Sequence, residues 1–212
     1  MIPDGQPRRR RDAAQTRDAI LDSAEQLFAE HGYDAASLEV IGRLAGVSRG
    51  TPRYFFGAKD ALYRAVLARV LTAEADLVLA AQIRATAAGG GPEEVLAAVV
   101  DSFVDFLEAR PGFVWLVERE AVAGGRVLRE VAAETAAVQA GLATLSHYFT
   151  GQAFRAREPT LTLLSLLALC WFPLAHADTF TRALGLDPGS PAFRATWKRH
   201  VVTLVLRGLR AP

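Results

Sequence analysis

Two short apolar patterns with helical spacing lie between Ser37 and Phe56, and only three residues separate them. The separating segment, Ala45-Gly46-Val47, places a glycine where a left-handed backbone conformation is needed. This spacing is that of a helix-turn-helix, a unit whose second helix lies in the major groove of DNA. The apolar residues expected to hold the two helices against a preceding helix are Leu38, Ile41, Leu44, Val47 and Phe56.

The rest of the chain is also helical in pattern, because apolar residues recur three and four positions apart without strand-like alternation. A first helix contains Ile20 to Phe28 and ends at His31-Gly32, and a long fourth helix starts near Lys59. Glycine- or proline-containing breaks follow at 87–94, 110–112, 124–125, 158–159 and 187–191. The sequence therefore predicts an all-α protein of about nine helices, in which a three-helix domain with the helix-turn-helix precedes a larger helical domain.

Pro52 lies at the beginning of the second short helix, where a proline is tolerated because the first turn leaves amides without partners. Two arrangements fit this position. Ser48 could cap the helix, so that Pro52 falls within the first turn, or Thr51 could cap a later helix that starts at Pro52. In both arrangements Arg49, Thr51 and Arg53 lie near the solvent side of the first turn.

Side chains with hydrogen-bonding groups suited to DNA surround this turn. Arginine makes paired hydrogen bonds to guanine edges, and threonine can meet a thymine methyl group or a phosphate. Hydroxyl groups at helix starts, tyrosine and lysine suit phosphate oxygens. The residues concerned are Ser37, Ser48, Arg49, Thr51, Arg53, Tyr54 and Lys59. From these residues alone a solvated surface stays an open alternative, since similar helix pairs occur in proteins that never bind DNA.

Four consecutive arginines, Arg8, Arg9, Arg10 and Arg11, precede the first helical pattern. The formal net charge of the whole chain is only +1, so any nucleic-acid binding must depend on such local clusters. We expect residues 1–15 to form a flexible basic arm. The arm is either solvated or lies along a nucleic-acid backbone or in a minor groove.

The chain lacks the patterns of several other function classes. A single cysteine, Cys170, excludes an intramolecular disulfide, and nothing indicates an oxidising compartment. Residues 161–175 are strongly apolar but fall short of the ~20 residues of a membrane span. No nucleophile–base pair, metal-ligand spacing or phosphate-binding glycine motif is present, so we expect no enzyme, cofactor or metal site. The arginine run precedes the first apolar stretch, so no signal peptide is expected and a cytoplasmic location is predicted.

Residues 16–67 resemble the N-terminal DNA-binding domain of the tetracycline-repressor (TetR) family. The matching features are Phe28, His31-Gly32-Tyr33, Ser37, Ile41, Ala45-Gly46-Val47-Ser48, Gly50-Thr51, Tyr54, Phe56, Lys59 and Leu62. The resemblance implies a homodimeric transcriptional regulator, usually a repressor, that a small molecule releases from a palindromic operator. It also implies a DNA-binding domain at 16–62 and a ligand-binding and dimerisation domain at 63–212.

The resemblance also carries operator contacts onto this chain by position. The implied contacts are Ser37, Ser48, Arg49, Gly50, Thr51, Arg53, Tyr54 and Lys59. Four positions depart from the usual family residues: Pro52 replaces leucine, Arg53 tyrosine, Phe55 histidine, and Ala58 a serine or asparagine cap. The alternative function is an all-helical small-molecule-binding or interaction protein without DNA binding.

The second half of the chain offers weaker predictions. Aromatic residues and polar residues within apolar helices are candidates for an effector pocket, because a buried polar group requires a partner. The candidates are Phe106, Trp115, Glu118, His147, Cys170, Trp171 and His176. For each, an ordinary core or surface role is the alternative. Residues 161–175 and the final helix, 191–210, are expected to pair across a dimer or else to complete the core of the monomer.

Overall fold

The computed structural model describes residues 6–135, 137–148 and 158–209, and these residues form helices and turns without a strand. Ten α-helices and one short π-helical segment are present in this part of the chain, where the sequence predicted about nine helices. The α-helices are α1 (Gln6–Ala35), α2 (Leu38–Leu44), α3 (Thr51–Phe56), α4 (Lys59–Ala87), α5 (Pro92–Ala109), α6 (Pro111–Val122), α7 (Arg126–Glu134), α8 (Ala137–Tyr148), α9 (Pro159–Ala175) and α10 (Pro191–Leu209). The π-helical segment is Ala177–Thr181.

The predicted breaks fall where helices end, and the two additional elements arise inside predicted segments. The segment after Gly124-Gly125 contains both α7 and α8. The segment after Pro159 contains α9 and the π-helical segment. Pro173 lies near the end of α9, and a proline inside a helix removes a backbone hydrogen-bond donor. The buried hydroxyl of Thr181 donates to the Pro173 carbonyl at 3.1 Å.

The first of two compact units comprises the residues up to Val70 together with Trp115–Val131. Helix α1 is interrupted at Gly32 (φ 82°), as predicted, and its apolar face packs against α2 and α3. Fully buried side chains form the core, because they recur three and four residues apart on α1 and α4 and are joined by Ile41 of α2. These are Ile20, Phe28, Ile41, Leu62, Val66, Leu67 and Val70.

The second compact unit comprises Leu71–Val114 and the described residues from Ala132 onward. Helix α5 lies at its centre and packs against α9 and α10. Acidic residues on α5 pair with basic residues on α10: Arg194 lies 2.7 Å from Glu108, and Lys198 lies 2.6 Å from Asp105. These pairs link the two helices at the surface, while buried apolar residues of α5 supply the core.

The predicted domain division stays a prediction. The backbone of α1 is helical from Gln6, within the expected arm at 1–15, and the side chains of Arg8 to Arg11 lie outside the described residues. The first compact unit extends to Val70, beyond the expected boundary at 62. No helix among the described residues has the length and apolar character needed to cross a membrane.

Glu74 on α4 gives the fold a pH dependence. Burial raises the pKa of this carboxyl from 4.5 to about 7, so the folded chain holds a proton that the unfolded chain has lost. Stability should therefore fall as pH rises from about 4.5 to about 7 and stay low above that range. Glu74→Gln should flatten this profile and add about 2 kcal/mol to the free energy of unfolding at about pH 8. Urea denaturation across this pH range measures both effects.

The control for this prediction is Glu93→Gln, which makes the same chemical change at an exposed position of α5. It should leave the slope between about pH 4.5 and 7 unchanged. A Glu74→Gln profile that follows the wild type would contradict the prediction.

Candidate nucleic-acid interface

Helix α2 is placed by a serine cap and a glycine turn, both as predicted. The Ser37 Oγ accepts a hydrogen bond from the Val40 N–H at 3.3 Å, and Ile41 anchors the helix because its side chain is fully buried. Gly46 has φ 68°, the left-handed conformation that ends α2 and turns the chain toward α3. The Ser37 hydroxyl retains its own proton for donation to a second group.

Helix α3 begins at Thr51, and Pro52 is its second residue. Gly50 occupies the N-cap position, so neither predicted arrangement is the one observed. Ser48 instead accepts the Thr51 N–H through its carbonyl at 3.0 Å, and the hydroxyls of Ser48 and Thr51 lie 2.7 Å apart. The two hydroxyls therefore form a pair at the start of the helix.

Gly42 explains how a proline fits at the start of α3, and sequence reasoning missed it. A Cβ atom on Gly42 would lie 3.2 Å from the Ser48 carbonyl oxygen and 3.3 Å from Pro52 Cγ. The absence of a side chain lets the buried Pro52 ring pack directly on α2. A glycine in the interior of a seven-residue helix, where it costs about 1 kcal/mol relative to alanine, is the signal that could have revealed this contact.

Residues 48–54, here called the recognition segment, present long polar side chains to solvent. Tyr54 is 85% exposed, and Arg49 and Arg53 are also exposed. The Arg49 guanidinium lies 3.9 Å from the carboxylate of Glu39 on α2, a residue that sequence reasoning did not select. The structure therefore gathers a phenol, two guanidinium groups and a hydroxyl pair around the start of α3, with one carboxylate beside them.

Lys59 occupies a different environment from the other predicted contacts. Its Nζ donates to the carbonyls of Tyr33 and Ala36 at 3.0 and 3.1 Å, and lies 4.2 Å from the centre of the Tyr33 ring. Two of its three donors are thus used inside the protein. They satisfy carbonyls between α1 and α2, directly before the Ser37 cap. A phosphate contact by Lys59 stays a prediction.

A buried network contacts the same junction through Tyr63, whose ring centroid lies 5.1 Å from that of Tyr33. The Tyr63 ring packs edge-on against Phe28, with centroids 4.9 Å apart, and its hydroxyl donates to Glu120 at 3.1 Å. Glu120 is only 6% exposed and also accepts the Leu128 N–H at 3.0 Å. Burial, and then the neighbouring Glu120 carboxylate, raise the pKa of Tyr63 far above its usual range, so the phenol stays a donor. Arg119 donates to the Ala29 carbonyl at 3.0 Å.

The predicted effector residues do not converge on one place in the described structure. Phe106 lines a cavity of about 620 Å³ in the second unit. The other lining residues are Leu77, Ala81, Arg84, Ala85, Ala98, Asp101, Ser102, Asp105, Ala109 and Arg110. Phe113 connects Phe106 to Trp171 through edge-on ring contacts of 5.3 and 5.6 Å. The structure thus places two of the candidates in one aromatic row.

The remaining effector candidates lie elsewhere. Trp115 (54% exposed) and Glu118 belong to the first unit, and His147 is exposed on α8. Cys170 is buried, and burial raises the pKa of its thiol to about 12. His176 packs against Phe172 with ring centroids 4.6 Å apart. None of these residues lines the cavity described above, so their ligand roles stay predictions.

Comparison with known proteins places this arrangement among DNA-binding regulators. Residues 20–66 match the family described as bacterial regulatory proteins, tetR family, and residues 92–205 match the tetracyclin repressor-like C-terminal domain. The HTH-type transcriptional repressor NicS of Pseudomonas putida is 27% identical over 214 residues, covering 95% of this chain and 96% of NicS. The HTH-type transcriptional regulator RutR of Escherichia coli is 41% identical over 64 residues, 30% of each chain. The fatty acid degradation regulator FadR of Bacillus halodurans has the same fold, with a TM-score of 0.72 at 20% identity over 90% of this chain and 94% of FadR.

The contact between Gly42 and Pro52 can be tested by filling the space. Gly42→Val should lower the free energy of unfolding by about 2 kcal/mol, because its methyl groups overlap the Ser48 carbonyl or the Pro52 ring. Gly208→Val is the matched control, since Gly208 also lies inside a helix and no atom lies within 4 Å of a Cβ built on it. Adding Pro52→Ala to Gly42→Val should restore part of the loss. Equal stability of the two valine variants in urea would contradict the proposed packing.

Proposed function

The chain belongs to the tetR family of bacterial regulatory proteins, and we propose that it represses transcription as a homodimer that releases operator DNA when a small molecule binds. The observation that carries this proposal is that Arg49, Arg53 and Tyr54 are exposed on the helix-turn-helix that matches this family. A protein that acts on chromosomal DNA in a bacterium works in the cytoplasm, so we infer that location.

The operator contacts divide by chemistry. Arg49 and Arg53 can each donate two hydrogen bonds to a guanine edge, which gives base specificity. The exposed Tyr54 hydroxyl and the paired hydroxyls of Ser48 and Thr51 suit phosphate oxygens, which set the register of the protein on the duplex. Ser37 and Gly50 add a hydroxyl and a backbone amide, and Lys59 holds the junction behind them.

Exposed apolar residues on α9 support the homodimer. Leu161 and Leu164 are each 62% exposed, and Leu167 is 39% exposed. The small residues Ser165 and Ala168 lie on the same helix and would permit a close approach of a second helix. Burying these leucines is favourable by about 25 cal/mol per Å² of apolar surface, so a second copy of the chain is a suitable cover. On α10, Leu204 is 48% exposed and extends the apolar surface available to that copy.

Two-fold symmetry then supplies the spacing that DNA requires. Successive major grooves on one face of a duplex are about 34–36 Å apart, so the dimer must present its two recognition helices at that distance. An effector that binds a differently spaced conformer more tightly would release the DNA through its differential affinity alone.

The cavity of the second unit is the proposed effector site. Its volume of about 620 Å³ suits a small molecule, and alanines, Leu77 and Phe106 give it largely apolar walls. Arg84 and Arg110 at the lining can orient a polar group of the effector. These features support a mostly apolar ligand carrying a limited number of polar atoms.

Arg49→Ala and Arg53→Ala test base reading. Each change should reduce discrimination between the preferred duplex and a single-base variant by about 1–3 kcal/mol, because a paired guanine contact is lost. The duplex is first selected from a randomised library by the wild-type protein, and affinities are then measured by fluorescence anisotropy at fixed salt. Arg182→Ala removes an exposed arginine from the second unit and should change nothing. Unchanged discrimination in both recognition-segment variants would refute these assignments.

Ala98→Leu tests the effector site by placing a larger side chain in the cavity wall. A panel of apolar aromatic compounds is first screened for stabilisation of the wild-type protein, which should reach about 2.7 kcal/mol at a hundred times the Kd. Ala98→Leu should lose this stabilisation while retaining DNA binding, whereas Ala183→Leu, at an exposed position, should keep both. Persistence of the stabilisation in Ala98→Leu, or a panel without any stabilising compound, would count against the site.

A further inference from the structure

Glu39 lies beside the recognition segment in the first turn of α2. Its Oε2 is 3.9 Å from the guanidinium of Arg49, which lies two residues before α3, and the two side chains are 67% and 74% exposed. An exposed ion pair of this kind contributes little to folding stability. The helix dipole favours a carboxylate in this first turn, but only weakly at an exposed position. Folding stability therefore places little demand on the identity of this residue.

A carboxylate near DNA is costly, because each phosphate carries a negative charge. The cost is smallest where the carboxylate faces base edges and has a cation beside it. Glu39 meets both conditions if Arg49 enters the groove, since the two groups are then neighbours at the leading end of the recognition segment.

We propose that Glu39 and Arg49 read two neighbouring base pairs together, with Arg49 on guanine and Glu39 on cytosine. This inference rests on the proposed function, because it requires that α3 enters the major groove of an operator. An ionised glutamate only accepts hydrogen bonds. It therefore pairs with the N4 amino group of cytosine and is repelled by the acceptor atoms O6 of guanine and O4 of thymine.

The two side chains also assist one another. Arg49 compensates the charge of Glu39 at the DNA surface, and Glu39 restricts the orientation of the Arg49 guanidinium group. Removing the carboxylate should therefore change base preference at two positions, strongly at the cytosine and more weakly at the adjacent guanine. A distant charge would change the affinity for all sequences together instead.

Glu39→Gln tests the proposal, because glutamine keeps the shape of the side chain but pairs with adenine N6 and N7. Full-length wild-type and variant proteins select duplexes from the same randomised library at the same salt concentration. Preference for cytosine over other bases at one position should fall by roughly 5- to 150-fold, with adenine gaining most. In an Arg49→Ala background the preference at the adjacent guanine should already be absent, so that Glu39→Gln changes only the cytosine position.

Glu93→Gln provides the control for charge, since it neutralises an exposed carboxylate of the second unit. It should select the wild-type sequence. Three results would overturn the inference: an unchanged base spectrum in Glu39→Gln, a uniform gain in affinity without a change in base preference, or a change shared by Glu93→Gln. If the wild-type protein selects no duplex at all, the proposed function itself fails. A thermal transition of Glu39→Gln equal to the wild type shows that the variant is folded.

Discussion

The position of the recognition segment depends on the contacts that hold the junction between α1 and α2. The Lys59 ammonium bonds the carbonyls of Tyr33 and Ala36 and lies over the Tyr33 ring, so one cation fixes both the backbone and an aromatic side chain. Tyr63 packs against the same ring at 5.1 Å and is itself bonded to the buried Glu120. Because a buried polar network is stable only when every member has a partner, these groups reinforce one another.

The contact between Gly42 and Pro52 shows how two unusual residues compensate locally. Pro52 stiffens the first turn of α3 and removes a donor that the helix start does not need. Its ring needs space on α2, and Gly42 supplies that space at a cost in helix propensity. The cost is acceptable because the neighbouring Ile41 is fully buried and holds α2 against α1. Neither Gly42 nor Pro52 is explained by its own helix alone, and the contact between them explains both.

The sequence allowed prediction of features that are set within a few residues. The Ser37 cap, the Gly46 turn, the break at Gly32 and the helical class all follow from local preferences, and the structure confirms them. The resemblance of the N-terminal segment supplied the family. The roles of Lys59, Tyr63 and Arg119 could not be predicted, because their partners lie 26, 57 and 90 residues away. The start of α3 was also missed, since a backbone carbonyl of Ser48, rather than a side chain, receives the Thr51 amide.

The same distinction between local and distant effects applies to the second unit. Aromatic and polar residues in apolar helices suggested an effector pocket, but the sequence does not reveal which of these residues line the same cavity. Phe106 and Trp171 are linked because Phe113 stands between them. Helix α5 packs against α10 with ion pairs between them that no local pattern specifies. Helices α4, α6 and α7 each contribute residues to both units. The segment of α6 in the first unit carries Arg119 and Glu120, whose hydrogen bonds reach α1 and α4.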